Sequence, residues 1–212
     1  MNRFDAYIFD VDGTIWDSTP IVKDAWNQAF RDYGIDSVNI TADMLKNLFG
    51  LPMDEIIHRL LPSMSAEERS TFGPHCFSYE HRYLEERAGI VYDGFEEMIC
   101  QLSKRVPCYI VSNCQGGYIE LMYRKTGFKK YFTDQLCPAD TNKLKAENIR
   151  IICDRYGVQN PVYIGDTQMD ANACIEAKVP IIYAAYGFGK VEKPDFIIKT
   201  PKEILTIENG QK

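Results

Sequence analysis

Apolar residues recur along this chain in two rhythms. Short unbroken runs, Tyr7-Ile8-Phe9, Cys108-Tyr109-Ile110-Val111, Val162-Tyr163-Ile164, Pro180-Ile181-Ile182-Tyr183 and Phe196-Ile197-Ile198, are too short for helices. Between them lie helical patterns at Phe95 to Leu102, Tyr118 to Lys125, Ala146 to Tyr156 and Met169 to Ala177. Continuously apolar strands are those buried on both faces, and their alternation with helices predicts a parallel sheet with helices on either side.

Residues 16 to about 88 keep only the helical rhythm. The pattern predicts a helix from Ile21 to Tyr33 closed by Gly34, and a second from Thr41 as N-cap to Leu48, closed by Gly50. A third runs from Met53 to Leu61 with Pro52 at its first turn and Pro62 ending it. Ser65 and Glu68 have capping-box spacing ahead of a long helix reaching about Arg87. The expected fold is therefore an α/β, Rossmann-like parallel-sheet core made of residues 1–15 and 90–212. An all-helical domain, residues 16–89, is inserted directly after the first strand, where it can act as a lid.

The strand ends carry the chemistry. The first run stops at Asp10-Val11-Asp12-Gly13-Thr14. Two carboxylates so close repel each other unless they share a cation or a proton, which points to a divalent metal and phosphate chemistry. The alternative is an Asx-turn with solvated acids. The later runs end in Ser112-Asn113-Cys114-Gln115-Gly116-Gly117 and in Gly165-Asp166-Thr167-Gln168-Met169-Asp170, and Lys143 and Lys145 lead into a helix. In a parallel sheet all C-terminal strand ends lie on one edge, where ligands bind. Carboxylates, a hydroxyl and a lysine would thus converge on a set able to hold magnesium through oxygen atoms, with a phosphoryl group against it.

Composition narrows the class without changing it. With 212 residues, 45% of them hydrophobic, and a net charge of -6, the chain reads as one ordinary globular protein with no basic cluster for nucleic acid. No apolar run is long enough for a membrane helix, and the N-terminus does not read as a signal peptide. The seven cysteines are scattered, with no Cys-x-x-Cys pair, and predict reduced thiols in a cytoplasmic protein. His58, His75 and His81 have no metal-ligand spacing, and Cys114 is expected to be a structural thiol. Oligomeric state is not legible.

In order and spacing, the four polar clusters resemble the four motifs of the haloacid dehalogenase-like hydrolase superfamily, and the helical insertion resembles its helical cap of the first type. The resemblance spans Phe4 to about Leu205 and implies Mg2+-dependent hydrolysis of a small phosphorylated metabolite. It makes Asp10 the nucleophile that forms an aspartyl-phosphate, and Asp12 the acid and base. Asp10, the Asp12 backbone carbonyl and Asp166 would hold the metal. Ser112 and the Asn113 backbone N–H would hold the phosphoryl oxygens, and Lys145 would offset the charge. Lys143 is the alternative lysine, because the frequent Lys-Pro-x-Pro form is missing here. Asp170 would support the site, with an exposed first-turn acid as its plain alternative; Ser112 could equally be a helix N-cap. Gly13 and Gly165 would permit tight backbone paths and Thr14 would steady the loop.

Within that superfamily, members that dehalogenate lack the second aspartate, and phosphonate cleavage needs a lysine at the root of the cap, where Ile15 to Pro20 offers none. Phosphomonoester hydrolysis leads, and Tyr186-Gly187-Phe188-Gly189 resembles phosphoglycolate phosphatase-like members. A phosphosugar mutase of the β-phosphoglucomutase type is the enzymatic alternative, and a phospho-accepting regulatory protein without turnover the non-enzymatic one. Substrate choice would fall to the cap, around Gly50-Leu51-Pro52 and Arg59, the latter equally readable as a solvated helix residue.

Overall fold

Residues 4–208 are described in the computed structural model; residues 1–3 and 209–212, which the sequence assigns to the core, lie outside them. The chain opens with β1 (Ala6–Phe9) and β2 (Trp16–Asp17), followed by helices α1 (Thr19–Asp32), α2 (Ala42–Leu48), α3 (Met53–Leu60) and α4 (Ala66–Glu86). Then come β3 (Ile90–Val91), α5 (Phe95–Leu102), β4 (Cys108–Val111), α6 (Tyr118–Thr126) and β5 (Asp134–Leu136). The remainder comprises α7 (Pro138–Thr141), α8 (Lys145–Tyr156), β6 (Pro161–Gly165), α9 (Gln168–Ala177), β7 (Ile181–Ala184), β8 (Phe196–Ile198) and α10 (Ile204–Glu208). Two compact units result: residues up to Asp17 together with those from Val91 onward, and Ser18–Ile90.

The first unit holds a six-stranded sheet in the order β5-β4-β1-β6-β7-β8, every pairing parallel. All residues of β1 and β4 are buried, as continuous apolar runs require. The alternation of side chains along β1 sends Ala6 and Ile8 into a cluster with Ile149 and Ile152 of α8 and Ala171 and Cys174 of α9. On the opposite face Phe9 meets Phe95 of α5 and Phe132 edge-on, with ring centroids 5.8 and 5.9 Å apart. Helices therefore cover both sides, as the alternation of runs predicts.

Two elements escape the sequence pattern. β5 is a three-residue strand, Asp134-Gln135-Leu136, with only Leu136 fully buried, so it carries no apolar run. It is an edge strand, and its pairing with Tyr109, Ile110 and Val111 of β4 supplies what its side chains do not. The stretch read as purely helical from residue 16 begins instead with β2, which pairs with β3 as a two-stranded sheet.

The second unit is helical. Thr41 accepts from the Met44 N–H at the start of α2, and Ser65 and Glu68 form the expected reciprocal capping box on α4. Its core centres on Trp26 and Phe30 of α1 against α4, with the Phe30 and Phe72 rings 4.9 Å apart. The Trp26 indole donates to the buried Glu80 at 3.0 Å. Asn27 exchanges two 2.8 Å bonds with the Ile40 backbone and ties down the long α1–α2 connection. α4 runs through Pro74, which lacks an N–H for the helix ladder. Just before it, Gly73 leaves room for Met53, whose Cγ would lie 2.8 Å from a Cβ at that position.

Candidate active site

The parallel register delivers the polar clusters to one edge. Phe9 is level with Ile110 of β4 and Ile164 of β6, so Asp10, Ser112 and Asp166 emerge within two residues of each other along three adjacent strands. The Asp10 N–H donates to the Ile164 carbonyl at 2.9 Å and fixes the start of the loop. Beyond it the chain turns tightly. The Val11 carbonyl accepts from the N–H groups of Thr14, Ile15 and Trp16, and Gly13 takes a left-handed conformation at φ +77°. A Cβ on Gly13 would sit 2.1 Å from Asp166 Oδ2, so this position needs glycine twice over.

Lys145 is the hub. Its side chain is 4% exposed, and its Nζ lies 2.9 Å from Asp10 Oδ2 and 2.5 Å from Asp170 Oδ1. Lys143 is exposed and pairs with Glu147 at 3.4 Å, so geometry places Lys145 at the carboxylates and Lys143 outside. The Asn113 side chain accepts from the Lys145 backbone N–H at 2.9 Å, capping α8 from a neighbouring strand end because Leu144, at the N-cap, cannot. The buried Asn148, one turn into α8, accepts from the Thr141 hydroxyl and donates to the Lys143 carbonyl, fixing the approach to the helix. Beneath the ammonium lies the Tyr163 ring at 5.5 Å, and its hydroxyl donates to the Val111 carbonyl at 2.8 Å.

Asp170 is fully buried, which removes the exposed-acid alternative. Its Oδ2 accepts from the backbone N–H groups of Asp166 and Thr167 and from the Thr167 hydroxyl, while its Oδ1 faces Lys145. Thr167 in turn N-caps α9. Ser112 is buried at the end of β4, and α6 is capped instead by Gly117. Asp12 is half-buried, with its Oδ1 accepting from the Tyr118 hydroxyl at 2.8 Å. Cys114 and Cys137 are both free thiols; the neighbouring Cys137, then burial, push Cys114 well above the ordinary thiol range, whereas Cys114 lowers Cys137.

Asp166 is held by a segment whose role the run-and-turn pattern does not reveal. The Phe188 N–H donates to Asp166 Oδ2 at 2.7 Å, the Tyr186 hydroxyl donates to the Thr14 carbonyl at 2.9 Å, and the Thr14 hydroxyl lies 3.4 Å from Asp166 Oδ1. A Cβ on Gly187 would come within 2.3 Å of the Gly13 carbonyl and of Asp166 Cβ. The Tyr-Gly-Phe-Gly spacing is the trace of this clamp in the sequence.

Electrostatics follow from burial. Desolvation pushes the Asp10 carboxyl up against the pull of Lys145. Asp166 is raised well above the carboxylate range by burial, then by Asp170 and Asp10. Asp170 is desolvated too, but Lys145 and the Thr167 donors outweigh burial and lower it. Burial opposes the charge on Lys145, yet Asp10 and Asp170 prevail and keep the ammonium charged.

Asp10, Asp166 and Asp170 each offer a carboxylate oxygen within 4.8 Å of the others, the one such group among the described residues. Asp10 Oδ1 is buried with no hydrogen-bond partner. Three buried carboxyl groups face one ammonium and cannot all ionise against it, which is why Asp10 and Asp166 are raised, and a divalent cation among them would let them ionise together. An all-oxygen donor set suits a hard divalent cation. The residues present fit a metal.

The chain matches the family of haloacid dehalogenase-like hydrolases over residues 7–184. It belongs to that family. Among curated relatives it is 23% identical to the pyrophosphatase PpaX of Oceanobacillus iheyensis over 209 residues, covering 94% of each chain. It is also 22% identical to the phosphoglycolate phosphatase of Pasteurella multocida, covering 98% of this chain and 99% of that one. A solved haloacid dehalogenase-like hydrolase from Streptococcus pneumoniae superposes with a TM-score of 0.84 at 21% identity, covering 96% and 98% of the two chains. The fold is that family's, and the relatives compared with it carry phosphatase names. No helix among the described residues is long and apolar enough to cross a membrane.

Proposed function

We propose that this protein is a Mg2+-dependent phosphomonoester hydrolase acting on a small phosphorylated metabolite through an aspartyl-phosphate on Asp10. The observation that carries the reading is the state of Asp10. One of its oxygens is pinned by Lys145, and the other is buried without a hydrogen bond. A carboxylate held in this way is oriented and stripped of water, as a nucleophile must be. Its oxygen attacks phosphorus, the P–O bond to the alcohol breaks, and Asp12 gives its proton to the leaving oxygen. Asp12 then takes a proton from the water that cleaves the acyl-phosphate bond. Ser112 and the Asn113 N–H receive the phosphoryl oxygens, and Lys145 offsets the charge that gathers between them and Asp10.

Asp10, Asp166 and the Asp12 backbone carbonyl would hold the Mg2+. Asp170 lies within reach as well, but both of its oxygens already serve Lys145, Thr167 and the Asp166 N–H. When bound, the ion supplies charge to the phosphoryl oxygens and keeps neighbouring carboxylates ionised together. The helical unit would act as the lid that selects substrate. The absence of a disulfide among the seven cysteines supports a reducing, cytoplasmic setting.

The test is phosphate release from a panel of small phosphate esters with and without Mg2+, using Asp10→Asn as the blank. Release that needs Mg2+ and falls by roughly 10^4 or more in Asp10→Asn is the expected result. Release that survives Asp10→Asn, or is indifferent to chelator, overturns the mechanism. Interconversion of phosphosugar isomers with little phosphate release would instead make the enzyme a mutase, and a stable phosphoprotein without turnover would make it a regulatory acceptor.

A further inference from the structure

The contacts described above divide the two acids of the first loop between different partners. Asp10 belongs to Lys145, whereas the Asp12 carboxylate is met by Tyr118, a residue with no place in the four clusters. Tyr118 opens α6, straight after the loop that carries Ser112 and Asn113. It is 1% exposed, and its ring stands edge-on to Trp16 at 5.9 Å and 74°. Trp16 closes the same turn that contains Asp12, since the Gly13 N–H donates to the Trp16 carbonyl at 2.9 Å. The phenol is therefore fixed by packing on both ring and helix, and it reaches Asp12 with a well-formed 2.8 Å bond.

We propose that Tyr118 is a positioning residue for Asp12: its hydroxyl holds one carboxylate oxygen and so sets the direction in which Asp12 delivers its proton. The inference rests on Asp12 being the acid and base. Tyr118 keeps its own proton throughout. As the Asp10 oxygen bonds to phosphorus and the ester P–O bond breaks, the electron pair goes to the leaving oxygen and the Asp12 proton follows it. Holding an acid in place before substrate arrives removes rotamers that would otherwise have to be lost at the transition state.

The experiment compares two aryl esters. Phenolate is a poor leaving group and needs the proton, whereas 2,4-dinitrophenolate leaves as a stable anion and does not. Tyr118→Phe keeps the ring, its packing on Trp16 and its burial, and removes only the hydroxyl. Its kcat/KM should fall about tenfold on phenyl phosphate and less than about twofold on 2,4-dinitrophenyl phosphate. The ratio of the two values does not depend on how much of the preparation is folded. Equal losses on both esters, or none on either, overturn the proposal. Asp12→Asn is the reference arm, expected to lose on the order of 10^2 to 10^4 on phenyl phosphate and far less on the dinitrophenyl ester. If Asp12→Asn lowers both equally, the acid-base reading of Asp12 fails first and takes the proposal with it. In the Asp12→Asn background, Tyr118→Phe should add no further loss on either ester. A further loss there marks a role independent of Asp12 and also overturns the proposal.

Discussion

The two units of this protein bury charge differently. In the sheet-bearing unit Asp10, Lys145, Asp166 and Asp170 are nearly or fully inaccessible and gather from three segments, the end of β1, the start of α8 and the junction of β6 with α9, with Lys145 paired to Asp10 and Asp170. In the helical unit Trp26, Phe30, Phe72 and Leu84 fill the interior, Glu80 is the one buried carboxylate in the core, and the ion pairs Arg59–Glu55 and Arg87–Asp24 are largely exposed. Apolar packing stabilises a fold cheaply, whereas a buried set of like charges is costly unless something compensates it. A unit that keeps such a set is organised around its chemistry. The interior of the other is organised around its own stability.

Substitution in each unit can break this contrast. Lys145→Ala should have the largest effect, because it leaves Asp10 and Asp170 buried without their cation. Turnover should fall by about 10^2 to 10^3, with a stability loss of about 3–5 kcal/mol relieved by protonation as pH falls. Steady-state kinetics and denaturant titration at two pH values would check both. Retained turnover would mean that the network is structural. In the helical unit Phe72→Ala should cost about 3–5 kcal/mol through the cavity left against Phe30 and Tyr33. Calorimetry would read this, and a loss below about 1 kcal/mol would show that this interior is loosely packed.

An exposed pair in the sheet-bearing unit tests whether burial, and not unit, sets the rule. Burial opposes the charge on Asp134, but the Gln135 N–H, Arg155 and Tyr156 pull its carboxyl below the usual range. A carboxyl lowered on folding stabilises the protein above its unfolded pKa of about 3.9, and that stability is lost as pH falls through the lower folded value. Arg155→Ala should therefore cost stability at pH 6 and progressively less towards pH 3. Solvent screening limits the difference to a few tenths of a kcal/mol at Asp134. Denaturant midpoints across that range measure it, and a pH-independent difference would remove the electrostatic account. The smallest effect belongs to Lys143→Ala, with turnover unchanged and stability within about 0.5 kcal/mol. A large loss of activity there would reverse the choice between the two lysines.

Much of this contrast is legible in the chain itself. β1, β4, β6 and β7 announce themselves because strands buried on both faces must be apolar throughout, and the caps at Thr41 and Ser65 because orphan N–H groups need acceptors. β5 is hidden because an edge strand of three residues is held by backbone bonds to β4, which leave its side chains nearly free to be Asp and Gln. Asp10, Asp12, Ser112, Asp166 and Asp170 stand out as polar residues where apolar runs stop. The two lysines are separable only in three dimensions, since the Asn113 acceptor that turns Lys145 inward lies 32 residues away. Tyr118 and Tyr163 stay hidden for another reason. Each reads as an ordinary buried aromatic, and only the position of its hydroxyl, on Asp12 and on the Val111 carbonyl, gives it a part in the site.

The central place of β1 governs how this enzyme comes into being. Its neighbours in the sheet are β4 and β6, so the strand that is synthesised first waits for partners made much later. At roughly 5–20 residues per second, the interval between Asp10 and Asp170 leaving the ribosome is on the order of ten seconds. During that time the helical unit has all of its own segments once Ile90 has emerged, and can fold within a chain whose catalytic carboxylates are still apart. Translation thus delivers the helical unit before the buried charge cluster. The cluster can assemble only late, once β6, α9 and the Tyr186–Phe188 segment that holds Asp166 have all emerged.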